Sequence, residues 1–225
     1  MKMLYLAVTL AALELAASAQ HPSLDKADHA AAAATASPEA IWDDLMAGNR
    51  RFVTGHPASR EFVNLRHQLA KGQSPNTIVL GCADSRVGPE LVFDKNLGDL
   101  FVVRAAGNIA GPIDLGSIEY AVEHLGSSLI VVLGHYDCGA VKAACSNETL
   151  PAPNLSAIGE KIRPACAKGD DKNATQASVE QNVRKSAKDI LANSAILREF
   201  VHEGKVHIIA AVYYIDTGEV VRLKK

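Results

Sequence analysis

Three short runs of almost uninterrupted apolar residues, Thr77 to Leu80, Leu100 to Val103 and Leu129 to Leu133, constrain the fold more than any other feature of this chain. They are rich in valine and isoleucine and lack the polar alternation of a half-exposed strand. Each therefore predicts a strand covered on both faces. Helical spacing lies between them, as in Leu115, Ile118 and Val122, and a fourth run follows at Val206 to Val212. After the turn Asp216-Thr217-Gly218, Glu219 to Leu223 pairs back antiparallel as an edge strand. The fold class expected is α/β, with a central, mostly parallel sheet of four strands plus an antiparallel edge strand, flanked by helices. Ser37-Pro38-Glu39 starts a helix that continues through Ile41, Trp42, Leu45 and Met46 and is expected to end near Gly48. Cys138 to Cys145 reads as a helix opening, Leu155 to Ala167 as a helical insertion, and Ser178 to Val201 as one long amphipathic helix.

The N-terminal segments have a different character. Lys2, the apolar stretch Met3 to Leu13 and the small residues Ala17-Ser18-Ala19 have the layout of a cleaved secretory signal over residues 1–19. Glu14 interrupts it, and the alternative is an amphipathic helix of a cytoplasmic protein. Export places the mature protein, starting at Gln20, in the periplasm or outside the cell. Residues 20–37 are alanine-rich without core-facing periodicity and read as a tether, with His21 and His29 as solvated residues. Residues 38–225 then form a single folded domain. The 225-residue chain carries a formal net charge of −2, which leaves no cationic excess for a phosphate backbone and excludes nucleic acid as a partner. No apolar run reaches the length of a membrane span.

Chemistry concentrates where strands end. Cys82 follows the first run, and His135 and Cys138 follow the third; in an open parallel sheet such ends converge on the ligand crevice. One imidazole and two thiolates suit zinc, and three protein ligands with an open fourth position is the catalytic arrangement. Ordinary buried cysteines with a core histidine are the plain alternative. A cysteine nucleophile with a histidine base is another, and it leaves the second cysteine unexplained. Cys82-Ala83-Asp84-Ser85-Arg86 places a carboxylate two residues from a candidate ligand and an arginine two residues farther on. A bidentate arginine keeps such a carboxylate ionised and acting as an acceptor. The remaining cysteines, Cys145 and Cys166, are either a disulfide or two buried free thiols.

Cys82-Ala-Asp-Ser-Arg-Val87, Gly98-Asp-Leu-Phe-Val-Val-Arg104 and Gly134-His-Tyr-Asp-Cys-Gly-Ala140 resemble the three signature stretches of β-class carbonic anhydrases, and Gly116 to Val122 and Val212 to Gly218 are similar to further family segments. The resemblance runs from Ser37 to the end of the chain. It implies that residues 38–225 are a catalytic domain that hydrates carbon dioxide reversibly to bicarbonate and a proton. It implies one Zn2+ per subunit, held by Cys82, His135 and Cys138, with Asp84 and Arg86 as the catalytic dyad. In some members the matching aspartate binds zinc as the fourth ligand, so Asp84 is also a candidate metal ligand. The resemblance further implies a homodimer or homotetramer whose N-terminal helices wrap a partner subunit. Two positions depart from the pattern: Lys95-Asn96 stands where many bacterial relatives carry glutamine, and Val79 stands where bicarbonate-switched relatives carry tryptophan. The rival functions are hydrolysis of carbon disulfide or carbonyl sulfide on the same scaffold, and a zinc-binding protein without turnover.

Overall fold

A computed structural model describes residues 36–146, 149–169 and 172–224. The expected signal over residues 1–19, almost all of the expected tether, and His21 and His29 lie outside the described residues. Five strands form one sheet in the order β2-β1-β3-β4-β5: β1 (Thr77–Gly81), β2 (Leu100–Arg104), β3 (Leu129–His135), β4 (His207–Tyr213) and β5 (Val220–Arg222). The first four are parallel, with Thr77 level with both Leu100 and Leu129, and Leu129 level with His207; β5 runs antiparallel, with Val212 opposite Val221.

The two central strands, β1 and β3, are buried along their whole length. Alternate residues feed two separate cores, which is why their sequences read as continuous apolar runs. Ile78, Leu80, Ile130 and Val132 pack with Ile118 and Val122 of α4 (Pro112–Leu125) and with Val179, Val183 and Ile190 of α7 (Lys172–Asn193). On the other face, Val79, Leu129, Val131 and Leu133 pack with Ile41, Trp42 and Leu45 of α1 (Pro38–Val53). Helix α1 thus directs its apolar residues at its own sheet. Val79 is wholly buried in that core.

Helix boundaries differ from the sequence reading: the long C-terminal helix begins earlier, at Lys172, the insertion helix spans Pro153–Ile162, and two further differences have a local reason. Helix α1 continues past Gly48 to Val53, because this glycine is a contact point and not a terminator. A Cβ there would lie 1.8 Å from the carbonyl oxygen of Phe93. The next residue, Asn49, is 2 % exposed and joins three segments: its Nδ2 donates to the Val92 and Gly218 carbonyls, and its Oδ1 accepts from the Val220 amide. The long C-terminal helix is two, α7 and α8 (Ala195–His202). Between them Ser194 is extended, and its hydroxyl accepts from the Leu197 amide, so it caps the second helix instead of continuing the first. The remaining helices are α2 (Phe62–Leu69), the single turn α3 (Pro89–Val92), α5 (Gly139–Cys145) and α6 (Pro153–Ile162).

The segment after α3 is anchored by the buried Asp94, which accepts from Arg51, Arg60 and the Ala58 amide. Burial alone would push this carboxyl up, but the amide and the two guanidinium groups outweigh it and hold it below its ordinary range.

Cys145 and Cys166 form a disulfide, with Cα atoms 5.4 Å apart, closing a loop across 21 residues between the end of α5 and the approach to α7. A cross-link over such a loop restricts the unfolded chain and is worth about 3 kcal/mol in the chain-entropy account. Replacing both cysteines with serine should lower unfolding free energy by about that amount or somewhat less, measured by urea denaturation. A midpoint unchanged from wild type would mean that the bridge does not constrain the chain.

Candidate metal centre

The strand order reverses between β1 and β3: the chain leaves β1 toward the Val92 and Phe93 core and leaves β3 toward the Val141 and Ala144 core. Two connections departing to opposite faces leave a crevice at the carboxyl ends of the strands. Cys82 is the first residue beyond β1, His135 is the last of β3, and Cys138 caps the start of α5. Sequence reasoning named these three, and the fold brings them together. Their ligand atoms all lie within 4.8 Å of one another, each residue is buried, and both cysteines are free thiols.

The donors fit a tetrahedral zinc ion. Two sulfurs bonded to one such ion at about 2.3 Å stand roughly 3.8 Å apart; here Cys82 Sγ and Cys138 Sγ are 3.9 Å apart. His135 Nδ1 lies 3.0 Å from the carbonyl oxygen of Tyr136. A carbonyl only accepts, so Nδ1 carries the proton and Nε2 keeps its lone pair. That Nε2 is fully buried and, among the described residues, has no hydrogen-bond partner. A buried imidazole nitrogen without a partner costs free energy unless something else satisfies it, and a cation does so.

The two thiols also polarise each other. The Cys138 thiol hydrogen-bonds the Cys82 sulfur, which pulls the Cys82 pKa down to about 4 against the opposing effect of burial. The same hydrogen bond, together with burial, pushes Cys138 up. Among the described residues this is the one cluster of three or more His, Cys, Asp or Glu ligand atoms at metal-binding spacing.

Asp84 and Arg86 stand at the rim. Asp84 Oδ1 accepts from the backbone amide and Nε of Arg86 at 3.0 and 2.9 Å, and Oδ2 accepts from Nη2 at 2.8 Å. The fork holds the Asp84 carboxyl far below the usual carboxylate range. Oδ2 is 3.7 Å from His135 Nε2, so this carboxylate borders the donor cluster. Asp137, between the histidine and the second cysteine, adopts a left-handed conformation and pairs with Lys142.

Arg104 has a role that its place in a signature stretch did not disclose. From the end of β2 its Nε donates to the Cys82 carbonyl at 2.8 Å and its Nη2 to the Asp84 carbonyl at 2.6 Å, so one guanidinium fixes the loop carrying both residues. An arginine at the end of the neighbouring strand was the available signal. Lys95 pairs with Asp44. Both line a cavity of about 480 Å³ that also includes Thr77 and Leu100, the first residues of β1 and β2 and hence the opposite end of the sheet from Cys82.

Comparison with known proteins agrees with this geometry. The sequence profile of a family described as carbonic anhydrase matches residues 77–220. Carbonic anhydrase 2 of Mycobacterium tuberculosis is 40% identical over 191 residues, covering 82% of this chain and 92% of that protein. The solved Coccomyxa β-carbonic anhydrase, in complex with acetazolamide, superposes with a TM-score of 0.65 at 28% identity, covering 82% of both chains. A β-carbonic anhydrase of Sordaria macrospora, described as tetrameric, gives a TM-score of 0.65 at 26% identity over 82% of this chain and 94% of that one. Signature residues, sheet order and a paired-thiol, single-imidazole cluster at the β1/β3 crevice coincide with these likenesses, and the chain belongs to the β class of the carbonic anhydrase family.

Proposed function

We propose that the chain is a zinc-dependent carbonic anhydrase, with Cys82, His135 and Cys138 as ligands and Asp84 and Arg86 as the residues that orient the reacting water. The observation that carries this reading is the buried, converging donor set of two sulfurs and the free Nε2 of His135, with an ionised carboxylate at its edge. Zinc bound there supplies a Lewis acid that brings the pKa of a water toward about 7.

The protein's own groups do the rest. Asp84 is ionised, so its Oδ2 would accept a hydrogen bond from the reacting water and so turn the water's oxygen toward the carbon of carbon dioxide, the proton that hydration releases passing to solvent. Arg86 occupies the carboxylate's other acceptor positions and restrains it from turning into the donor cluster as a further ligand. Arg104 keeps the loop beneath both in register. The relatives named above are carbonic anhydrases, which favours carbon dioxide over carbon disulfide or carbonyl sulfide as substrate. An oriented, ionised carboxylate has no place in a zinc site kept only for stability.

Two further readings have support. Among the described residues the edge strand β2 leaves a backbone ladder unpaired, Leu100, Phe101 and Val102 are only half-buried, and Ile113 and Tyr120 on the adjoining α4 are exposed at 84% and 48%. A second copy of the chain would cover this surface in a homodimer or homotetramer. The Cys145–Cys166 bridge suits an oxidising compartment and so supports export to the periplasm or beyond, with residues 1–19 removed.

Native mass spectrometry of protein taken from its own cell tests both. Chains beginning at Gln20 and assembled as dimers or tetramers are expected; monomers would overturn the assembly, and an intact Met1 would overturn export.

The catalytic roles separate by variant. Cys82→Ser and Cys138→Ser should weaken zinc binding by about 10-fold or more. Arg86→Ala should keep one zinc per chain and lose hydration activity by about 100-fold, an amount typical of misplacing an oriented group. Metal analysis with stopped-flow hydration reads both, and full activity in zinc-loaded Arg86→Ala would contradict the proposed role of Arg86.

A further inference from the structure

Helix α7 carries a polar residue where its packing calls for an apolar one. Asn182 is 1% exposed and sits beside Val179 and Val183, which press against the sheet. Its Nδ2 donates to the Gly107 carbonyl at 2.7 Å across a separation of 75 residues. Its Oδ1 is buried and, among the described residues, has no hydrogen-bond partner. A carboxamide satisfied on one side only is costly to bury, so packing alone does not account for an asparagine here. The Nδ2 assignment is fixed, because the opposite orientation would set two carbonyl oxygens against each other.

Gly107 is the link to the donor cluster. It lies in the turn Ala106–Asn108 with φ 73° and ψ 22°, a left-handed conformation. A Cβ at this position would come within 2.6 Å of Ile162 Cδ1. In that conformation its amide donates to Cys82 Sγ at 3.3 Å. The asparagine therefore holds the carbonyl of the residue whose amide faces the sulfur. The same helix supports the second ligand strand: a Cβ on Gly134, next to His135, would lie 2.3 Å from Val183 Cγ2, so α7 and β3 are in close contact there.

We infer that Asn182 is a positioning residue for the metal centre, holding the Gly107 turn so that its amide hydrogen-bonds the Cys82 sulfur. This rests on the zinc reading proposed above. Amide donors to a ligating thiolate fix its orientation and electron density, and loss of such an outer partner typically weakens metal affinity about 10- to 100-fold.

The experiment compares wild type with Asn182→Leu, of similar volume and without a donor, and with Asn182→Ala. Zinc affinity is read by chelator competition, the sulfur-to-metal charge-transfer band by absorption of the cobalt-substituted proteins, and the thermal midpoint on metal-free samples. Zinc affinity should fall by about 10-fold or more and the charge-transfer band should shift, in excess of any change in the metal-free midpoint. Affinity and spectrum equal to wild type in either folded variant would overturn the inference.

A measurement on the unmutated protein does not depend on either variant folding. In cadmium-113-loaded wild type, the Gly107 amide proton should show scalar coupling to the metal through the Cys82 sulfur, and absence of that coupling would equally overturn it. Failure of the zinc reading looks different, since wild type itself would then bind no stoichiometric zinc or cadmium.

Discussion

The parallel pairing of β1 with β3 is the constraint on which the site depends. With Gly81 level with Leu133, Cys82 follows one residue on and His135 two residues on at the same end of the sheet, so two sulfurs and an imidazole from segments more than fifty residues apart are brought into one small buried volume. Because side chains alternate along a strand, a slip of one residue would turn the core residues of β1 to the wrong face and carry Cys82 away from its partners. The register is held by both cores at once, since Ile78 and Leu80 belong to one and Val79 to the other. Apolar packing on two faces thus positions polar groups that would not gather by themselves.

Around that crevice the loops are fixed by hydrogen bonds more than by packing. The Cys82 loop is clamped through its carbonyls by Arg104, its carboxylate by Arg86, and its sulfur by the Gly107 amide. His135 is set by the Tyr136 carbonyl, which leaves one nitrogen facing the thiols. Each contact limits rotation of a group whose direction would matter for holding a metal or for accepting a hydrogen bond. The disulfide adds a covalent tie at the far end of α5, the helix that begins at Cys138.

Much of this was legible in the sequence because the relevant physics is local. Continuous apolar runs announce strands buried on both sides, and a ligand-type residue directly after such a run must sit at the mouth of the sheet. Cys82, His135 and Cys138 are legible on that basis, and Asp84 and Arg86 through their spacing after Cys82 and the family resemblance; the structure gathers the first three and sets Asp84, with Arg86, beside them. The parts that stayed hidden are those decided by distant contact. Gly48 resembles a helix terminator in sequence, whereas in the fold the Phe93 carbonyl occupies the space of its missing side chain. Ser194 divides a helix whose apolar spacing runs on through the break, because a capping hydroxyl is indistinguishable from a solvated one in sequence. Helix α2 has no buried residue, so no core-facing periodicity marked it. Arg104 and Asn182 act through backbone carbonyls 20 to 75 residues away, and no spacing rule relates such pairs.

Zinc K-edge X-ray absorption of the purified protein examines the proposed coordination sphere most directly. The prediction is two sulfurs at about 2.3 Å, one imidazole nitrogen at about 2.0 to 2.1 Å and a single further light atom. A sphere made only of oxygen and nitrogen, or one with four sulfurs, would contradict the assignment of Cys82, His135 and Cys138 as the zinc ligands.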